Sequence, residues 1–154
     1  MNIKLHPADH SKDYGSLGIK LPMNSNKKYN RAEIFNLSYT TEEQAVSNYI
    51  NLLLTKRGER YMQPEFGVGL YLYLFEQNTD FIKIKLEDEI RTQSDRWLPY
   101  IFNEDISISD YEGAPEDTKH GIHIRIKFKV TEHGANKTIS IFPGINGNLE
   151  VEIL

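Results

Sequence analysis

Carboxylates are the first residues in this chain whose types and spacing could do chemistry. Glu59 and Glu65 lie close together in a charged stretch, with Glu76 further on. Glycoside hydrolysis needs two carboxyl groups held across a scissile bond, one of them with a raised pKa. All three glutamates stand among ordinary charged surface residues, and nothing in the pattern sets them about a groove. The sequence therefore assigns no catalytic residue. Five histidines, His6, His10, His120, His123 and His133, raise the question of a metal. His120 and His123 fall at the start of a period-two run, where a strand would point them to opposite faces. Asp110, Glu112, Glu116 and Asp117 in the preceding loop read more simply as a solvated turn, so no metal ligand and no cofactor is expected. The chain has no cysteine, which removes disulfides, thiolate catalysis and cysteine-held zinc or iron–sulfur sites. Gly67-Val68-Gly69 lacks the third glycine and the preceding strand of a dinucleotide fingerprint. No serine nucleophile elbow is present.

The chain has 154 residues and a formal net charge of -4. That length suits one compact domain with an arm, able to bury a core without metal or disulfide. An acidic balance argues against a general nucleic-acid partner, which usually meets a concentrated basic face. No apolar run approaches the length that crosses a bilayer, and residues 1–15 lack the apolar centre of a secretory signal. The expectation is assembly in a bacterial cytoplasm, with no nucleic-acid partner and no membrane insertion.

The elements that must position any site follow from periodicity. Residues 1–33 are broken by Pro7, Gly15, Gly18 and Pro22 and read as a flexible N-terminal arm, with Leu17, Ile19 and Leu21 as a brief docking strand. Residues 34–154 form the domain. Thr40 or Thr41 starts a helix, because each has an acid or amide three residues later in capping-box spacing. Ala45, Val46, Tyr49, Ile50, Leu53 and Leu54 make its apolar stripe, and Gly58, after Lys56 and Arg57, is its expected stop. A short helix is predicted over 70–75. Thr79 or Asp80 begins a third, with Phe81, Ile82, Leu86 and Ile90 on its apolar side and Pro99 as its end. The period then becomes two. Ile106 and Ile108, then Ile122 to Val130, Thr138 to Phe142, and Leu149 to Ile153 read as strands, with Asn146-Gly147 as a tight turn. Helices first and strands last predict an α+β fold: about three helices packed on a small antiparallel sheet of three to four strands, with an N-terminal arm.

Binding is the remaining prospect. Arg60 and Glu65 bracket a bend and are expected to pair across it, with Phe66 as a large apolar anchor between Pro64 and Gly67. Tyr71 and Tyr73 exceed what so short a helix can bury and suit an interface. The amphipathic run 149–154 would either complete the domain's own sheet or accept a strand from another chain.

Leu53, Leu54, Thr55, Gly58, Arg60, Pro64, Phe66, Gly67, Leu70, Leu74 and Phe75 stand in an order and spacing that resembles the baseplate wedge family of contractile phage tails. That family is named after gene product twenty-five of the T-even phages and has a counterpart in the type VI secretion baseplate. The resemblance covers about Phe35 to Phe142. It implies a structural, non-enzymatic subunit of the inner baseplate of a contractile injection machine, by preference a phage tail. Such a subunit contacts baseplate wedge proteins, neighbours central hub or tube proteins, and templates the first ring of tail sheath subunits by strand addition. Its place would be the virion tail baseplate or an equivalent injection particle. Some members carry a lysozyme label, so a peptidoglycan hydrolase is the alternative function. Members commonly carry Glu-Pro-Arg where the long helix ends, in contact with the wedge core; this chain has Leu98-Pro99-Tyr100. The change implies an apolar partner surface met by Trp97 and Tyr100, unless Trp97 packs into the chain's own core. The expected partner-binding set is Arg60, Pro64, Glu65, Phe66, Tyr71, Tyr73, Trp97, Pro99 and Tyr100. The strands expected to meet the sheath carry Ile122, Ile124, Ile126, Phe128, Ile139 and Ile141.

Overall fold

Helix α1 (Thr41–Leu54) starts where its capping residues place it. The Glu43 amide donates to Thr40 Oγ1 at 3.2 Å, and the Glu43 carboxylate turns back to accept the Tyr39 amide at 3.1 Å. These bonds satisfy amides that have no partner inside a first turn. A computed structural model describes residues 16–20, 37–73, 79–110, 122–131, 134–143 and 149–154. The chain divides into two units, Met1–Asn51 and Leu52–Leu154.

In the first unit, β1 (Gly18–Ile19) pairs antiparallel with β2 (Leu37–Ser38), Gly18 opposite Ser38 and Ile19 opposite Leu37. The docking strand expected within the arm thus pairs with the chain's own entry to α1. The rest of the expected arm, and Leu21, lie outside the described residues. Lys20 Nζ lies 2.7 Å from Glu43 Oε1. Partial burial pushes the Glu43 carboxyl up, but the Lys20 ammonium and the Tyr39 and Thr40 amides outweigh it, leaving the group below its ordinary range. Ala45, Val46, Tyr49 and Ile50 are buried.

The second unit begins with the end of α1, which stops at Leu54, short of Gly58. The reason is competition for hydrogen bonds. A continuing helix would give the Lys56 amide to the Leu52 carbonyl. Instead the Val68 amide takes that carbonyl at 3.0 Å, and the Lys56 amide donates to Glu59 Oε2 at 2.9 Å. Gly58, at φ 83, opens the loop that follows, and its amide reaches the Pro64 carbonyl at 2.7 Å. Helix α2 (Leu70–Tyr73) comes next; Leu74 and Phe75 lie outside the described residues.

Helix α3 (Asp80–Trp97) is capped by Thr79, whose side chain accepts the Ile82 amide at 3.4 Å. It ends at Leu98, before Pro99, as the proline requires. Leu86, Ile90, Gln93 and Ser94 form its buried face. Phe81, expected with them, is 73% exposed. One residue is 100° of helical turn, so Ile82 and Phe81 cannot both face the core squarely.

Strands β3 (Phe102–Asp110), β4 (Ile122–Lys129), β5 (Lys137–Pro143) and β6 (Leu149–Ile153) form an antiparallel sheet in that order. The register lines up Ile106, Ile126, Ile139 and Ile153 in one row and Ile108, Ile124, Ile141 and Val151 in the next. Branched side chains in such rows make one face of the sheet a continuous apolar layer. Each fully buried member contributes roughly 1.5–3 kcal/mol. Asn146-Gly147, the expected turn, lies outside the described residues.

Candidate docking surfaces

The loop from Gly58 to Phe66 is held by short local bonds. The Gln63 amide donates to the Arg60 carbonyl at 3.1 Å, and the Phe66 amide to the Gln63 carbonyl at 3.1 Å. Phe66 is 6% exposed, so it anchors the loop inward rather than toward a partner. The Arg60 guanidinium lies 3.7 Å above the Phe66 ring, an arrangement that contributes about 0.5–1 kcal/mol at a partly exposed site. Trp97 meets the same ring edge-on, with centroids 5.4 Å apart, and its Nε1 donates to Gln93 Oε1 at 3.0 Å. Trp97 thus packs on Phe66 of its own chain while staying partly exposed. Tyr100 is 39% exposed and Pro99 is exposed, while Leu98 and Ile101 turn inward.

Arg60 and Glu65 do not pair. Glu65 forms its ion pair with Arg96, whose guanidinium also lies 5.2 Å from the Trp97 ring centroid. With Arg60 drawn onto Phe66, the nearer cation for Glu65 comes from the last turn of α3. The fold thus gathers Arg60, Glu65, Phe66 and Trp97 into one corner and adds Arg96, which sequence spacing did not signal. It also leaves Tyr61 and Met62 at the loop's tip, 96% and 86% exposed. Two large apolar residues inside a charged loop were the available clue to them. Tyr71 is half exposed and Tyr73 partly buried on α2.

Both side chains of the Glu65–Arg96 pair are more than half exposed, so solvent screens it. A double-mutant cycle with Glu65→Gln and Arg96→Gln is expected to give a coupling of less than about 1 kcal/mol. The same cycle on Arg60 and Glu65 is expected to give none. A larger coupling for the second pair would contradict this corner.

Two of the three carboxylates considered for hydrolysis have partners: Glu59 accepts the Lys56 amide and Glu65 pairs with Arg96 of α3. Glu76 lies outside the described residues.

The sheet departs from the expected arrangement. β4 and β5 are interior strands, each flanked on both sides by the chain's own strands, so neither offers an edge. Ile122, Ile124, Ile126, Phe128, Ile139 and Ile141 are all at most 3% exposed and belong to the core. Among the described residues, the edge strands are β3 and β6. The Thr138 and Leu154 backbones exchange bonds of 3.0 and 2.9 Å. Antiparallel pairs alternate, so Glu152 and Glu150 also direct their backbone groups at β5. Leu149, Val151 and Ile153 direct theirs away, toward the open side. β3 differs. Its register shifts between Asn103 and Asp105, and it carries Glu104, Asp105, Ser107, Ser109 and Asp110. A bulge and charges are what blunt an edge against pairing.

On the sheet's other face, Lys127 pairs with Asp105 at 3.9 Å and Lys129 with Glu104. His123 stands edge-on to Phe142. Partial burial and the Arg125 charge hold its pKa below the usual histidine value, against the opposing pull of Glu152.

Residues 40–135 match the sequence model of a family described as baseplate wedge protein gp25. Among the solved structures that share the fold are two with the following likeness. One is a crystal structure from Geobacter sulfurreducens with a provisional tail-lysozyme name; it is 22% identical, with a TM-score of 0.53, over 75% of this chain and 91% of that one. The other is the cryo-EM structure of the anti-feeding prophage baseplate, 18% identical, with a TM-score of 0.55, over 74% of this chain and 84% of that one. At these identities the likeness is one of fold. No curated protein matches the chain.

Proposed function

The chain belongs to the baseplate wedge protein gp25 family, and from that premise we propose that it uses two separate surfaces, one for wedge proteins and one for the sheath. The wedge surface is the corner of Arg60, Pro64, Glu65, Pro99 and Tyr100, extended by the exposed side of Tyr71. Phe66 and Trp97 serve it from beneath, fixing the backbone that presents those residues. An ordered surface loses less conformational entropy on docking than a flexible one does.

The sheath surface is the open side of β6, and the observation that carries it is the outward direction of the Leu149, Val151 and Ile153 backbone groups. An extended sheath segment would add there as a fifth strand of the sheet. Main-chain bonds would supply affinity, and its alternate side chains would continue the apolar rows that end at Ile153 and Val151. Ile153 is 48% exposed although the row behind it is buried, which is the condition an added strand would relieve. The blunted β3 edge makes addition one-sided. Hub or tube proteins would be further neighbours of the same subunit.

The chain contains no cysteine, so a single introduced thiol labels one place. Val151→Cys and Ser107→Cys place it on β6 and β3 respectively. With a short thiol–amine cross-linker and co-expressed sheath, a chain–sheath adduct is expected from the first and not from the second. An adduct from Ser107→Cys alone would move the sheath to the other edge; none from either would remove strand addition from the proposal.

A further inference from the structure

Helix α3 has a second face that its own unit leaves uncovered. Phe81 is 73% exposed and Ile84 is 62% exposed, and both line a shallow hollow of about 310 Å³ together with Lys85, Asp88, Glu89 and Thr92. Lys85 and Asp88 have no ion-pair partner among the described residues, whereas Glu89 is held by Arg57. Two large apolar side chains beside a cation and an anion that no described residue pairs make an unusual solvated surface.

The order of these residues identifies what fits them. Phe81, Lys85, Asp88 and Thr92 have a spacing that reads the same from either end of the helix. If a second α3 is laid antiparallel across the first, with the two-fold axis between Leu86 and Glu87, Lys85 meets Asp88 of the second copy and Asp88 meets its Lys85. Phe81 meets Thr92, and Ile84 meets the stem of Glu89, whose charge Arg57 already engages. A two-fold interface must be self-complementary in this way, each residue meeting its counterpart twice. The alternation of four-, three- and four-residue steps is also the spacing that keeps a seam facing a partner helix.

We propose that this face of α3 binds a second copy of the chain, forming a weak two-fold dimer sealed by reciprocal Lys85–Asp88 pairs. The seam is one helix wide, which places it below the roughly 1,200 Å² total of stable interfaces. Self-association is therefore concentration-dependent, and dilution or a competing surface releases the monomer.

Sedimentation equilibrium on the full chain over a wide concentration range tests the proposal. The wild type is expected to shift from monomer toward dimer as concentration rises. Lys85→Asp alone sets like charges opposite each other twice, and so does Asp88→Lys alone; each is expected to weaken association about tenfold or more. Lys85→Asp with Asp88→Lys restores the pairs in reversed order, and association should return to near the wild-type value. Lys85 and Asp88 are both exposed, so these variants are expected to fold, which circular dichroism checks. A wild type that stays monomeric at every concentration would overturn the proposal. So would single reversals without effect, or a double reversal no better than the singles. Protection of Lys85 from acetylation only when other baseplate subunits are present, with a monomeric free chain, would assign the face to a different partner and equally overturn it.

Discussion

Val151→Pro is expected to leave the protein folded and to abolish sheath nucleation. The two halves of that result come from one geometric fact. The mutual bonds between Thr138 and Leu154 fix the alternation along β6, so Val151 lies between two residues that bond β5 while its own amide faces the open side. Proline there deletes no bond within the sheet, and an outward-facing amide on an edge strand is where a sheet tolerates it. It does delete the central donor an incoming strand would use, and its ring occupies the approach. Glu152→Pro is the matched control. It removes an amide aimed at β5 opposite Ser140, and should destabilise the hairpin by about 1–3 kcal/mol through an unpaired buried carbonyl. Thermal melts and electron microscopy of sheath growth from assembled baseplates separate the cases. Val151→Pro should melt near the wild type and give bare baseplates. Normal sheath on Val151→Pro baseplates would mean that the sheath does not extend β6.

Local signals in the sequence carried most of the elements and little of their arrangement. The Thr40 cap, the Thr79 cap and the Pro99 stop depend on residues a few positions apart, and each appears where spacing put it. The alternation from Ile122 to Val130 likewise makes a strand with one buried face. Alternation says which face is buried, but not whether a neighbour lies on each side. For that reason β4, the clearest strand, could be mistaken for an edge when it lies inside the sheet. The end of α1 shows the same limit. Gly58 is a sound local stop, yet the Val68 amide claims the Leu52 carbonyl first, and that partner is set by tertiary structure. Arg96 could not be assigned to Glu65 by any short-range rule, because a bend and the whole of α3 separate them. The fold class needed only periodicity; the corner needed distances.

Gly67→Ala is expected to be the most damaging small substitution in the corner, by about 3–5 kcal/mol of stability. Gly67 has φ +110, and a Cβ there would stand 2.2 Å from the Thr55 carbonyl oxygen and 2.9 Å from its carbon. Both are backbone atoms, so no rotamer change relieves the contact. The backbone has little freedom to retreat. Phe66 on one side is packed against Trp97 and hydrogen-bonded to Gln63, and Val68 on the other closes the end of α1 through Leu52. Gly58 separates the two contributions, having φ +83 but open space where its Cβ would be. Gly58→Ala should therefore lose only the backbone preference, about 1 kcal/mol. Urea denaturation of both variants measures the difference. Equal losses would show that the close approach of residue 67 to Thr55 does not hold the corner. Unequal losses in the stated order would mean that the chain reaches its wedge-facing geometry by pressing one glycine against the end of a helix. In that case Gly67→Ala protein kept folded at low temperature should still fail to dock, because Arg60, Pro64 and Glu65 are carried on the backbone that the new methyl displaces.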